Sequence, residues 1–236
     1  MEIGTRALGL AEQTGDPTAA AFERANIAEL RLLLEEPDSA RALAEQAAAG
    51  AEAYDAWCLP YALTTLARVR VFQGEPARAT PLLDRAEAVA TALGDRQAGH
   101  EVRTARAEFA LRARRPHQAL GVLAGHTDEA PVLVAWAELL SGRPEAALPL
   151  ARAEVTRARH TGERLAEVEA RIALGASLSR LARKPDGTKE LVRAEKLAEA
   201  LPYPAGTRRA ARARDLLREP WPPRVTTTPT PRRTPT

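Results

Sequence analysis

Gly74-Glu75-Pro76-Ala77-Arg78-Ala79 decides how this chain is read. One amphipathic run ends just before the proline and another opens on it. Proline has no N–H and a φ already near the helical value, so it suits the start of a helix and not its interior. The small residue three places on lets the new helix press close to the old one. The same turn is written again as Glu35-Glu36-Pro37-Asp38-Ser39-Ala40, Arg114-Arg115-Pro116-His117-Gln118-Ala119 and Gly142-Arg143-Pro144-Glu145-Ala146-Ala147. A worn fifth copy is Arg183-Lys184-Pro185-Asp186-Gly187-Thr188. A helix–turn–helix recurring at this period is the mark of a stacked repeat array.

Outward from the turns, the chain divides into pairs. Residues 5–13 predict a short second-type helix, so the array begins in mid-unit. Thr14-Gly15-Asp16-Pro17 then offers a left-handed glycine, an N-cap and a first-turn proline. Leu93-Gly94-Asp95 and Thr161-Gly162-Glu163 repeat that punctuation between units. The predicted pairs are 18–34 with 37–53, 57–72 with 76–93, 96–113 with 116–124, 131–140 with 144–160, and 164–181 with 189–201. Pro60 predicts a late start or a kink. Pro81 and Pro149, each five residues after a turn proline, predict helices that become regular only beyond them. Pro202-Tyr203-Pro204 stops the array, and Thr207 caps a last helix to Leu217. The expected organisation is a half repeat over 1–17, an α-solenoid over 18–218 and a disordered Pro/Thr/Arg tail over 219–236.

Composition agrees with an all-α fold. Aromatic residues are only 4% of the chain, so the core has to be built from Leu, Ala and Val. Ala and Leu are strong helix formers, and no alternating β-branched segment bounded by turns is present. The one cysteine, Cys58, excludes an internal disulfide. No apolar run reaches membrane-spanning length, and Met1 to Gln13 lacks the pattern of a secretory signal. A cytoplasmic location is expected by default. The net charge of +3 divides unevenly: residues 207–236 carry +6, leaving −3 for residues 1–206. Arg outnumbers Lys 31 to 3. That excess reads as codon bias and says little about nucleic acid.

Residues along the pairs resemble the tetratricopeptide repeat: Leu66-Ala67, Gly74, Ala79, Leu83 and Ala86 in the second unit, Ala28, Ala40, Ala44 and Ala47 in the first, Ala135, Gly142 and Ala147 in the fourth. The resemblance covers about residues 18–201. It departs from the family in its longer period and in Leu or Ala at the aromatic positions. It implies a right-handed solenoid of antiparallel helix pairs, about five of them with a terminal helix. Leu-Gly-Asp between units and Gly-x-Pro-x-x-Ala within them are similar to the arrays of large bacterial LuxR-type and antibiotic-regulator-type transcription factors. The implied function is a non-enzymatic protein–protein scaffold, the sensor part or a fragment of such a regulator.

Chemistry is not expected. No phosphate loop or dinucleotide motif occurs. His100, His117, His126 and His160 are not spaced to share a helical face, and there is no second cysteine, so neither a metal site nor a cofactor is predicted. The histidines read as turn or solvated-face residues, and Cys58 beside Trp57 as a small buried residue.

The resemblance places Tyr61, Thr64, Arg68 and Phe72 from the second unit in a concave groove, with Thr104, Glu108 and Arg112 from the third and Val132, Trp136 and Leu140 from the fourth. Trp136 and Phe72 read equally as core between units. The family's clamp for C-terminal carboxylates needs Lys and Asn on successive helices. Only Asn26 is present, so chaperone-tail binding is not supported. The expected partner is a protein or peptide in the groove, with self-association through an uncovered N-terminal flank at Leu8 and Leu10. The alternative is a nucleic acid or other anionic partner on the basic C-terminal end, where the tail is either a regulated arm or a solvated extension.

Overall fold

The computed structural model describes residues 2–54 and 57–216. Among these residues there are twelve helices and no strand. α1 (Glu2–Thr14) precedes five pairs: α2 (Pro17–Leu33) with α3 (Pro37–Ala53), α4 (Leu59–Phe72) with α5 (Pro76–Leu93), α6 (Arg96–Arg112) with α7 (Pro116–Val122), α8 (Pro131–Leu140) with α9 (Pro144–Thr161), and α10 (Arg164–Arg180) with α11 (Lys184–Ala200). α12 (Pro204–Leu216) follows.

The five turns within pairs are one structure. The residue two places before each second helix is left-handed: Glu35, Gly74, Arg114, Gly142 and Ala182, with φ of 62°, 81°, 56°, 78° and 60°. The next N–H then reaches five residues back, as from Glu75 to the Arg70 carbonyl at 2.8 Å and from Arg183 to Leu178 at 2.9 Å. This closes the exposed carbonyl end of the first helix. The fourth residue of each second helix is small and buried: Ala40, Ala79, Ala119 and Ala147 are 0% exposed. The worn fifth turn obeys the same rule with a shift. Its helix opens on Lys184, one residue before the proline, so Gly187 takes the buried place.

Turns between units carry the expected glycines, with Gly15, Gly94 and Gly162 left-handed. Asp16 and Asp95 then cap the next helices by accepting from the N–H groups of Ala19 (2.9 Å) and Ala98 (3.0 Å).

Several boundaries differ from the sequence expectation. α4 starts late, at Leu59, so that Pro60 takes its second position and needs no N–H. α5 and α9 run unbroken through Pro81 and Pro149. Each of these prolines denies a bond to the carbonyl four residues back, on Ala77 and Glu145. All four residues are exposed, so the freed carbonyls lie on the side of the helix that faces solvent. α11 begins at Lys184, not at 189, because Gly187 packs inside it rather than breaking it. α12 starts on Pro204, ahead of Thr207, and Tyr203 before it is buried. The expected tail, 219–236, and the end of the last helix at Leu217 lie outside the described residues.

First-type helices α2, α4, α6, α8, α10 and α12 touch their successors in that series, while second-type helices have substantial contact only with first-type ones. Converging first helices and diverging second helices curve the array with α2 to α12 inside. The core is alanine-rich, with Leu, Val and Ile between. Each buried methyl-sized group contributes about 0.8 kcal/mol, so stability is spread over many close helix contacts. Apolar clusters fill the units in sequence, and the C-terminal one draws on α10, α11 and α12 through Val168, Ile172, Leu191, Tyr203 and Ala210. Leu33, at the end of α2, packs on that same cluster. Among the described residues, no helix is long and apolar enough to cross a membrane.

Candidate interaction surface

Curvature brings equivalent positions of successive units onto the inner face. Eight residues before each turn proline stand Glu29, Arg68, Glu108 and Trp136, on α2, α4, α6 and α8. The first three interlock. The Arg68 guanidinium donates to Glu29 at 3.0 Å and to Glu108 at 3.3 Å, and also to Glu101 at 3.1 Å. Thr65, a turn earlier, donates its hydroxyl to the same Glu29 oxygen at 3.0 Å. The Arg68 side chain is 16% exposed. Burial opposes its charge, but the fields of Glu108, Glu29 and Glu101 outweigh that and raise its pKa. One cation thus ties three consecutive units together, and three carboxylates share it.

A second row lies fifteen residues before the prolines: Phe22, Tyr61 and Glu101. Tyr61 stands edge-on to Phe22 (centroids 5.8 Å apart, 87°) and to Trp57 (6.1 Å, 76°). Its hydroxyl donates to the Asp95 carboxylate at 3.0 Å. Burial and the adjacent Asp95 push the phenol up to about 12. Trp57 remains 50% exposed. Aromatic and acidic groups therefore adjoin on the inner face of α4, and Trp and Tyr are the residues that most often anchor partners.

The remaining residues expected in the groove divide between surface and packing. Thr64 is buried and its hydroxyl returns to the Pro60 carbonyl at 2.7 Å, so it offers no surface. Thr104, one repeat on, is half-buried with a hydroxyl that has no hydrogen-bond partner. Val132 and Trp136 pack against the cluster between α8, α9 and α10, and Trp136 also reaches the C-terminal cluster. Leu140 is half-buried, while Phe72 and Arg112, at the last turns of α4 and α6, are exposed. The inner face is thus largely polar and half-buried over α4 and α6 and becomes core at α8.

Residues outside the expected set complete the surface. Glu29 and Glu101 were legible in principle, since Glu29, Arg68 and Glu108 are spaced by the repeat period itself. Phe22 sits one period before Tyr61. At the far end Tyr203 donates to Glu169 at 2.7 Å and accepts from Arg209, whose guanidinium also lies 3.1 Å from Glu169. No periodic signal marks these.

Two other predicted groups are accounted for. Cys58 is buried, its thiol directed at the Thr18 carbonyl at 3.6 Å, and burial pushes its pKa up, which disfavours the thiolate. His100 and His126 both meet Glu129, at 3.0 and 2.9 Å, beside Arg103 at 2.7 Å. They form part of an ion cluster holding the segment before α8 to α6. Comparison with protein-family models and with curated proteins finds no match.

Proposed function

We propose that this chain is a right-handed solenoid of tetratricopeptide-like repeats that works as a non-enzymatic protein–protein interaction scaffold, the sensor part of a bacterial transcriptional regulator acting in the cytoplasm. The observation that carries the scaffold reading is the inner face itself. Equivalent positions of consecutive units line up there as a half-buried aromatic pair, Phe22 and Tyr61, with the exposed Trp57 against them, beside shared carboxylates. Such a row presents evenly spaced contacts to an extended partner or to a helix lying along it. The regulator assignment rests on the wording of the turns, Gly-x-Pro-x-x-Ala within units and Leu-Gly-Asp between them.

Binding of nucleic acid by the C-terminal end gains no support from the described residues. Arg208, Arg209 and Arg214 are paired with Glu35, Glu169 and Glu195, which leaves Arg212 as the exposed arginine of α12 outside these pairs.

Photo-crosslinking tests the scaffold reading. A crosslinking side chain at Trp57 or Phe72 should trap a specific protein in cell extract, and the same group at Arg152 on the outer helix α9 should not. Equal trapping at both, or none at either, defeats it. Retention on duplex DNA that falls linearly with log salt would favour the other reading.

A further inference from the structure

In a repeat array each unit ordinarily touches only its neighbours. Here the first pair meets the last helix. Leu33, in the final turn of α2, packs on the cluster built by α10, α11 and α12. Two residues on, Glu35 pairs with Arg208 in the first turns of α12. The adjoining Arg209, bound to Glu169 and Tyr203, also lies in the field of Glu108 from the middle of the array. These contacts bring the end of α2 and its following turn, and Glu108 of α6, to α12.

The contact is small and charged. One half-buried leucine supplies its apolar part, and an ion pair with a half-exposed guanidinium supplies the rest. Exposed ion pairs are weak and screened by salt. Within each pair the helices are instead held by close packing around a small buried residue. The joint between the ends is therefore the weakest link in the closed form.

We infer that the α2–α12 contact is an electrostatic latch: closed, it joins the two ends of the array across its inner face, and open, it frees that face. Opening leaves α12 on α10 and α11 and lets the curvature relax through small rotations summed over the units. The latch is a property of this chain alone. Its use in admitting a partner rests on the scaffold reading above.

Spin labels on cysteines replacing Asp38, beside the α2 end, and Arg212 on α12, in a Cys58→Ala background, report the distance between the ends of the full chain. We expect a narrow, short distribution at about 0.05 M NaCl. It should lengthen by more than a helix diameter, about 10 Å, at about 1 M NaCl, where the screening length falls to about 3 Å. Glu35→Arg should open the chain at low salt, and Glu35→Arg with Arg208→Glu should close it again. Circular dichroism checks that helix content is unchanged in each. A distance that ignores both salt and Glu35→Arg overturns the latch, as does a double reversal that fails to restore closure. If a variant does not fold, the salt titration of the unaltered pair decides alone. Failure of the scaffold reading would look different: ends that open as expected with no crosslinked partner at Trp57 in either state.

Discussion

Gly187 of α11 meets Gly175 of α10 with no side chain between them. A Cβ placed on Gly187 would lie 2.6 Å from the Gly175 carbonyl oxygen and 2.0 Å from the Ser179 hydroxyl. A Cβ on Gly175 would in turn lie 2.7 Å from Leu191. Neither residue has a left-handed φ. Glycine stands at both positions for space. Gly187→Ala should therefore force the pair apart and cost about 1–3 kcal/mol or more, read by chemical denaturation. An unchanged midpoint would mean that the helices do not approach as described.

The turn alanines make the same argument in milder form. Ala79 is fully buried at the fourth position of α5. Ala79→Leu should overpack the contact with α4, at about 1–3 kcal/mol. The exposed neighbour Arg78→Leu serves as the control and should move the melting temperature little.

Arg114 is left-handed at φ 56° in the turn before α7, where Gly74 and Gly142 stand in the equivalent turns. A side chain there costs about 1–2 kcal/mol, and glycine gives back about 0.4–1 kcal/mol through unfolded-chain entropy. Arg114→Gly should raise stability by roughly 0.5–1 kcal/mol. A loss of stability would mean that the Arg114 side chain makes a contact worth more than its backbone strain.

Removing Arg68 leaves Glu29, Glu101 and Glu108 facing one another without their cation. Loss of one partner from a buried ion pair costs about 3–5 kcal/mol. Partial exposure here lowers the expectation for Arg68→Met to about 2–4 kcal/mol. Added salt should narrow the gap, and Glu108→Gln in the same chain should recover part of it. A salt-independent loss would locate the cost in packing of the arginine stem instead.

The Glu129 carboxyl gives a pH prediction. Hydrogen bonds from Arg103 and His126, with a further one from His100, hold it at about 2 against an ordinary value of 4.5. A depressed carboxyl stabilises the fold above its unfolded pKa and loses that contribution as pH falls through the folded one. The advantage of the native chain over Glu129→Gln in melting temperature should thus be full at pH 6 and shrink below about pH 4.5. A gap equal at pH 6 and pH 3 would show that the cluster does not depend on the charge of Glu129.

What the sequence determined by itself is local. A proline at the first helical turn, a left-handed glycine after a helix end and an aspartate cap act over a few residues, so Pro37, Gly94 and Asp16 could be read without any tertiary contact. They are sufficient for the all-α class and the pairing of helices. Even the worn fifth turn kept its spacing, once counted from the true start of α11 at Lys184. Tertiary structure alone decided where the inner face is open and where it is core. Thr64 is buried where its equivalent Thr104 is half-buried, and Trp136, at the position that holds Glu29, Arg68 and Glu108 in earlier units, joins two apolar clusters. It also decided that Glu35 would meet Arg208. The reason is geometric: curvature is the sum of small rotations between units, each set by the sizes of residues such as Ala79 and Gly187 at a helix contact. Such a sum has no signature at any single position, and only the assembled array carries it.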